Sequence, residues 1–176
     1  MDLQNSQIIV FLQSFFPREA VVAMVGALPV FELRGAMPLG VWAFKMPLVK
    51  VFWLSVAGNL APIIPLLWGL RRMAHGLEKN NTAAGKFMRW WFERAKSKSA
   101  GIEKWKFWGL AIFVGIPLPG TGAWTGAAVA VIMDYDFRKS VASIALGVLM
   151  AAVIVAALVG LGSSAAGGLR GIFLKV

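Results

Sequence analysis

Residues 107–133 form one long apolar run, yet its centre, GIPLPGTGAWTG over 115–126, holds two prolines and four glycines. Proline removes a helical N–H and clashes with the preceding turn, so no single straight helix can cross this stretch. A broken backbone frees N–H and C=O groups. In lipid each such group costs several kcal/mol unless protein or trapped water satisfies it. A break at that depth therefore lines a cavity, and in transporters such cavities hold the substrate. The chain is apolar enough for this reading to apply: 59% of its 176 residues are hydrophobic, and its mean hydropathy is +0.72. Soluble domains rarely reach that composition.

A second broken run precedes the first. Residues 19–44 are apolar, and their middle reads LPVFELRGAMPLG over 28–40, with Glu32 and Arg34 inside the break. Its two flanks are roughly 10 to 12 residues, or about 15–18 Å of helix. That is half of a ~30 Å hydrocarbon core. The lengths fit a re-entrant helical hairpin that turns near the midplane, with a single kinked span as the alternative. Each broken run is followed by an unbroken one, at 47–70 and at 138–162. The expected fold is an all-α integral membrane protein built from two repeats, 17–73 and 105–162, each a hairpin (19–44, 105–133) plus a span. The halves align at an offset of 87 to 89 residues: Pro29 with Pro117, Gly35 with Gly122, Lys50 with Lys139 and Gly58 with Gly147.

Charge sets the orientation. Between Arg71 and Lys106 stand ten basic residues against Glu78, Glu93 and Glu103, an excess of seven positive charges in a chain of net +10. A basic patch could mark a nucleic-acid surface. The positive-inside rule explains it with fewer assumptions and places the 74–104 loop in the cytoplasm of a multi-pass membrane protein, with no nucleic-acid partner. The hairpins then enter from opposite faces, an inverted repeat, and their tips meet near the midplane. Around residues 86–96, Phe87, Trp90, Trp91 and Arg94 follow helical spacing. This suggests an amphipathic helix on anionic inner-leaflet lipids, with a solvated linker helix as the alternative. Residues 3–16 read as an interfacial helix without the basic region of a signal peptide. The Gly-rich 163–176 tail is expected to be loose. Small residues recur every fourth position at Ala152, Ala156 and Gly160 and at Ser143, Gly147 and Ala151. Such stripes allow close helix approach and suggest a homodimer.

The candidate site gathers at the two breaks. Ionisable groups at the midplane are costly and default to functional candidates. Arg34 could bind an anion through its planar fork, and Glu32 could exchange a proton; a structural clamp is the other reading of the pair. Two residues apart, they share no helical face but point the same way in an extended tip. The second tip, with Pro117, Pro119, Gly120, Thr121, Gly122 and Trp124, offers backbone amides, the Thr121 and Thr125 hydroxyls and a helix N-terminus. Gly35 lies beside Arg34, and Asn59 either bridges the tips or bonds a freed carbonyl. The chain has no cysteine, and its single histidine, His75, has no second ligand at a metal spacing. No metal or cofactor is expected, and with no nucleophile–base pair in the apolar segments, neither is catalysis.

These two motifs, with Gly58-Asn59 between them, resemble those of the small multidrug export family of bacteria and archaea, over about residues 21–162. That family is similar in organisation to the DedA membrane-protein superfamily. The resemblance implies opposed re-entrant hairpins and a transport site. Some DedA proteins are linked to moving undecaprenyl phosphate or other lipids. The expected function is thus a transporter or flippase of an anionic amphiphile or phosphate-bearing lipid, possible as a proton-coupled process. The alternatives are a small-molecule exporter and a non-transporting scaffold or assembly factor.

Overall fold

The computed structural model describes residues 15–74, 86, 90, 93, 105–118 and 120–173. Every regular element among them is helical: α1 (Arg18–Ala27), α2 (Glu32–Pro38) continuing into a π-helical turn (Leu39–Ala43), α3 (Leu48–Leu60), α4 (Ile63–Ala74), α5 (Lys106–Gly115), α6 (Ala123–Ile132) and α7 (Phe137–Phe173). Two stretches, Leu48–Arg72 and Phe137–Gly162, are long and apolar enough to cross a membrane. The first is interrupted by a turn at Ala61 and Pro62. Trp53, Trp68, Val153, Leu158 and Leu161 on these stretches are all at least 60% exposed, a surface suited to lipid. Most of residues 3–16 and 74–104 lie outside the described residues. The interfacial helix, the loop helix (of which Lys86, Trp90 and Glu93 are helical) and His75 therefore fall there too. The helix α7 continues to Phe173, through most of the segment expected to be loose.

The breaks come where the sequence puts them, for a local reason. A residue before proline is pushed out of the α region. Leu28, before Pro29, ends α1 at φ −74°, ψ 137°, and Ile116, before Pro117, ends α5 at φ −81°, ψ 116°. The same correspondence runs on. Glu32 and Gly120, 88 residues apart, both have positive φ, 48° and 78°. Phe44 (φ −89°, ψ −5°) and Met133 (φ −88°, ψ 7°) close the second limbs, each followed by a left-handed residue, Lys45 at φ 54° and Asp134 at φ 49°. The helix α1, α5 and α6 are 10 residues each. That is about 15 Å, the half-core length.

Contacts divide the chain into two compact units, residues 1–59 with 152–176, and Leu60–Ala151. The division falls inside each long stretch and not at the loop between the sequence repeats. In the first unit α1 packs on α2, and on α3 through glycine: a Cβ on Gly58 would lie 2.1 Å from Ala23 O, and one on Gly26 3.1 Å from Ser55 O. Arg18 Nη1 donates to Phe44 O at 3.4 Å, and Lys50 pairs with Glu19 at 2.7 Å. The start of α1, the end of the π turn and the start of α3 therefore lie together.

The second unit repeats these relations. A Cβ on Gly147 would lie 2.6 Å from Ala111 O, the counterpart of the Gly58–Ala23 approach. Ser143 Oγ donates to Phe107 O at 2.6 Å. Phe107, Met133, Asp134, Tyr135, Asp136 and Lys139 line one cavity of about 580 Å³, so the start of α5, the end of α6 and the start of α7 also come together. Arg71, at the end of α4, donates to Tyr135 O and stacks 5.6 Å from the Phe137 ring. Asp136 caps α7: its Oδ1 accepts the Lys139 N–H at 3.0 Å, which holds its carboxyl below the usual aspartate range. The small-residue stripes are used within the units. Ser143, Gly147, Ala151 and Ala152 are buried, and Gly160 faces Leu48. Ala156 and Gly160, the other stripe residues, are half-buried.

Candidate functional site

The first break forms around a left-handed glutamate. Pro29 keeps Leu28 extended, the chain turns through Val30 and Phe31, and the Glu32 N–H closes the turn on Leu28 O at 2.9 Å. Glu32 begins α2 with φ 48°, a conformation that costs a non-glycine residue of order 1–3 kcal/mol. It is 5% exposed, although it is a carboxylate. Arg34 Nη2 lies 3.9 Å from Glu32 Oε2, with the arginine side chain 24% and the glutamate 6% exposed. The pair forms although Arg34 is helical. The extended tip expected from the sequence is not what brings the charges together; the left-handed Glu32 backbone at the helix start replaces it. Gly35 makes room for Phe31, whose Cβ would sit 2.9 Å from a Cβ there.

Asn59 lies elsewhere in the same unit. It is 1% exposed on α3, with its backbone N 3.5 Å from the Cβ position of Gly26. One turn earlier Ser55 is fully buried. Ser55 Oγ and Asn59 Oδ1 have no hydrogen-bond partner among the described residues. Sequence reasoning does not single out Ser55; its i, i+4 spacing to Asn59 on an apolar helix was the available signal.

The second break, in the other unit, is knit by its own side chain. Thr121 Oγ1 lies 2.7 Å from both Ile116 O and Leu118 O and accepts the Leu118 N–H at 3.2 Å. The turn between Pro117 and Gly122 leaves carbonyls without helical donors, and the nearest hydroxyl takes them. Gly120 is exposed at φ 78°. Gly122, buried at φ 117°, ψ −175°, is the N-cap of α6 and supplies no side-chain cap, so α6 begins on bare backbone. Trp124 and Thr125 are half-buried in its first turn, and Pro119 lies outside the described residues. Glu32, Arg34, Gly35 and Asn59 thus belong to one unit and the glycine-rich tip to the other. Among the described residues, no group of three or more His, Cys, Asp or Glu could hold a metal.

The family model described as "Putative small multi-drug export protein" matches residues 32–154, 123 of the 176 positions. The chain belongs to this family. The match begins at Glu32, just after the Pro29 turn of the first break, and takes in Arg34, Asn59, the whole second break and most of the second apolar stretch. No curated protein and no solved structure shows significant similarity to the chain. Family membership and the two long apolar helices make this chain a membrane protein with a general transport or export role.

Proposed function

We propose that this protein moves an anionic amphiphile, such as a phosphate-bearing lipid, across a prokaryotic cell membrane, and that Glu32 and Arg34 are its working residues. The observation that carries the reading is the conformation of Glu32. A buried carboxylate is held at φ 48° at the place where the other half of the chain uses Gly120. Glycine would adopt this conformation without strain. Strain retained at one residue, together with a charge taken out of water, marks function more than architecture. In this reading Arg34 donates its planar fork to the anionic head group, and Glu32 takes and releases a proton as the cargo arrives and leaves. Each broken segment is a re-entrant hairpin. Half-core limb lengths support this, as does the return of each segment to the end where it began. With the basic loop cytoplasmic, the repeat is inverted.

The family description favours a second cargo, a small-molecule drug. Reconstitution into proteoliposomes separates the readings. Fluorescent phospholipid and cationic dye are offered as cargo under an imposed pH gradient. Glu32→Gly is the informative variant, because it removes the carboxylate and relieves the backbone. Transport is expected to fall at least tenfold while thermal stability holds or rises. Arg34→Lys should weaken use of anionic cargo several-fold, since a point charge replaces a fork. If Glu32→Gly keeps full transport and loses stability, the pair is a structural clamp and the proposal fails. Transport of the dye alone would move the assignment to the small-molecule exporter.

A further inference from the structure

The polar pair on α3 is independent of the Glu32–Arg34 tip. Ser55 and Asn59 stand one helical turn apart on the same face, 0% and 1% exposed. Both present an oxygen with no hydrogen-bond partner among the described residues. Such a group, buried and unmet, costs about 1–3 kcal/mol, so two on one face call for an explanation. The second unit places no such pair. At the 89-residue offset that sets Gly147 against Gly58, the positions of Ser55 and Asn59 fall on Ile144 and Val148, both buried and apolar, and the serine beside them, Ser143, donates to Phe107 O at 2.6 Å.

The surroundings favour a cation. Ser55 and Asn59 lie in the last two turns of α3, which ends at Leu60. The last carbonyls of a helix carry its negative dipole end. Gly58, beside Asn59, has no α-helical donor for its carbonyl, because Pro62 four residues on has no N–H. Broken helices in transporters use such helix ends and unwound carbonyls to coordinate Na⁺. Both unmet atoms are oxygens, and they lie toward the negative end of a helix dipole, which disfavours an anion. A divalent cation is disfavoured too, because no carboxylate belongs to the set to offset its second charge. We propose that Ser55 Oγ and Asn59 Oδ1, with a backbone carbonyl at the end of α3, form a binding site for a monovalent cation the size of Na⁺. The site does not rest on Glu32 carrying a proton.

Cation binding is measured on the full chain in lipid nanodiscs, by ²²Na⁺ binding and by thermal unfolding in NaCl, KCl or choline chloride at constant ionic strength. Na⁺ should bind once per chain and raise Tm saturably; choline should not. Asn59→Val, which installs the residue of the other half, should weaken Na⁺ binding at least tenfold, and Ser55→Ala several-fold. Ser55→Ala is close in shape and keeps the test readable if Asn59→Val fails to fold. Glu32→Gln should retain the Na⁺ response. Absence of a Na⁺-specific response in the unmodified protein, as expected if the oxygens hold only water, overturns the proposal. So does a response that survives both α3 variants, or one lost in Glu32→Gln and kept in Asn59→Val.

Discussion

Glu32 and Gly120 occupy the same place in their respective broken segments, and one carries a charge in a conformation that the other adopts freely. The contrast extends through both units. Their backbones agree at the proline breaks, at the left-handed residues that end each second limb, and at the glycine that lets the span touch its hairpin. Their polar groups do not agree. In the second unit Thr121 and Ser143 bond neighbouring carbonyls, and Val148 fills the space that corresponds to Asn59. In the first, a buried ion pair at the break and two buried oxygens on the span remain. The contrast lies at the breaks and the spans; elsewhere the second unit holds buried polar atoms of its own, Arg71 Nε among them. Backbone that agrees at these positions supplies the same packing in both units, but a buried polar group is costly wherever it stands, so only one unit need keep it.

The largest effect tests the shared packing. A Cβ at position 58 would meet Ala23 O at 2.1 Å and at position 147 Ala111 O at 2.6 Å, backbone in both cases. Gly58→Ala is expected to cost about 3 kcal/mol or more and Gly147→Ala somewhat less, read as loss of monodisperse protein on heating. Gly69→Ala is the control: nothing lies within 4 Å of its Cβ position, and the change should be neutral or mildly stabilising. A harmless Gly58→Ala would break the parallel between the units.

Next comes a transplant of the Asn59 amide into the second unit. Val148→Asn places an amide in a site that is 1% exposed, and an expected loss of about 2–3 kcal/mol should appear in equilibrium unfolding. An equally stable protein would show that both units accept polarity, and the asymmetry would lose its meaning. Smaller again, Ser143→Ala removes a hydrogen bond to Phe107 O and should cost about 1 kcal/mol, whereas Ser55→Ala in salt without Na⁺ should cost little. Equal costs would mean that Ser55 has a partner too.

The smallest effect is at the Asp136 cap. Its carboxyl is held low chiefly by the Lys139 N–H, so its contribution is present above the unfolded aspartate pKa and is lost as pH falls through the depressed folded value. Asp136→Ala should lower Tm by only about 2 °C at neutral pH, with the difference vanishing in acid. The first unit has Pro47 at the corresponding position and should show no such pH-dependent cap.

The sequence alone determined what neighbouring residues decide. Leu28 and Ile116 leave the helix because proline follows them, and the half-core limbs follow from the distance between those breaks and the next charged turn. The two long apolar stretches were legible at 47–70 and 138–162, and the structure places them at Leu48–Arg72 and Phe137–Gly162. Glu32 and Arg34 stood out because charge is rare in apolar sequence. Only the tertiary structure decided which groups meet. It put Arg34 within reach of Glu32 through one left-handed residue, turned Thr121 onto its own loop, buried Ser143, Gly147, Ala151 and Ala152, and closed Ser143 on a carbonyl while leaving Ser55 unmet among the described residues. The reason is range. Backbone conformation at a proline is fixed by atoms one or two residues away, whereas a hydroxyl is satisfied or not according to which distant carbonyl packing brings within about 3 Å of it.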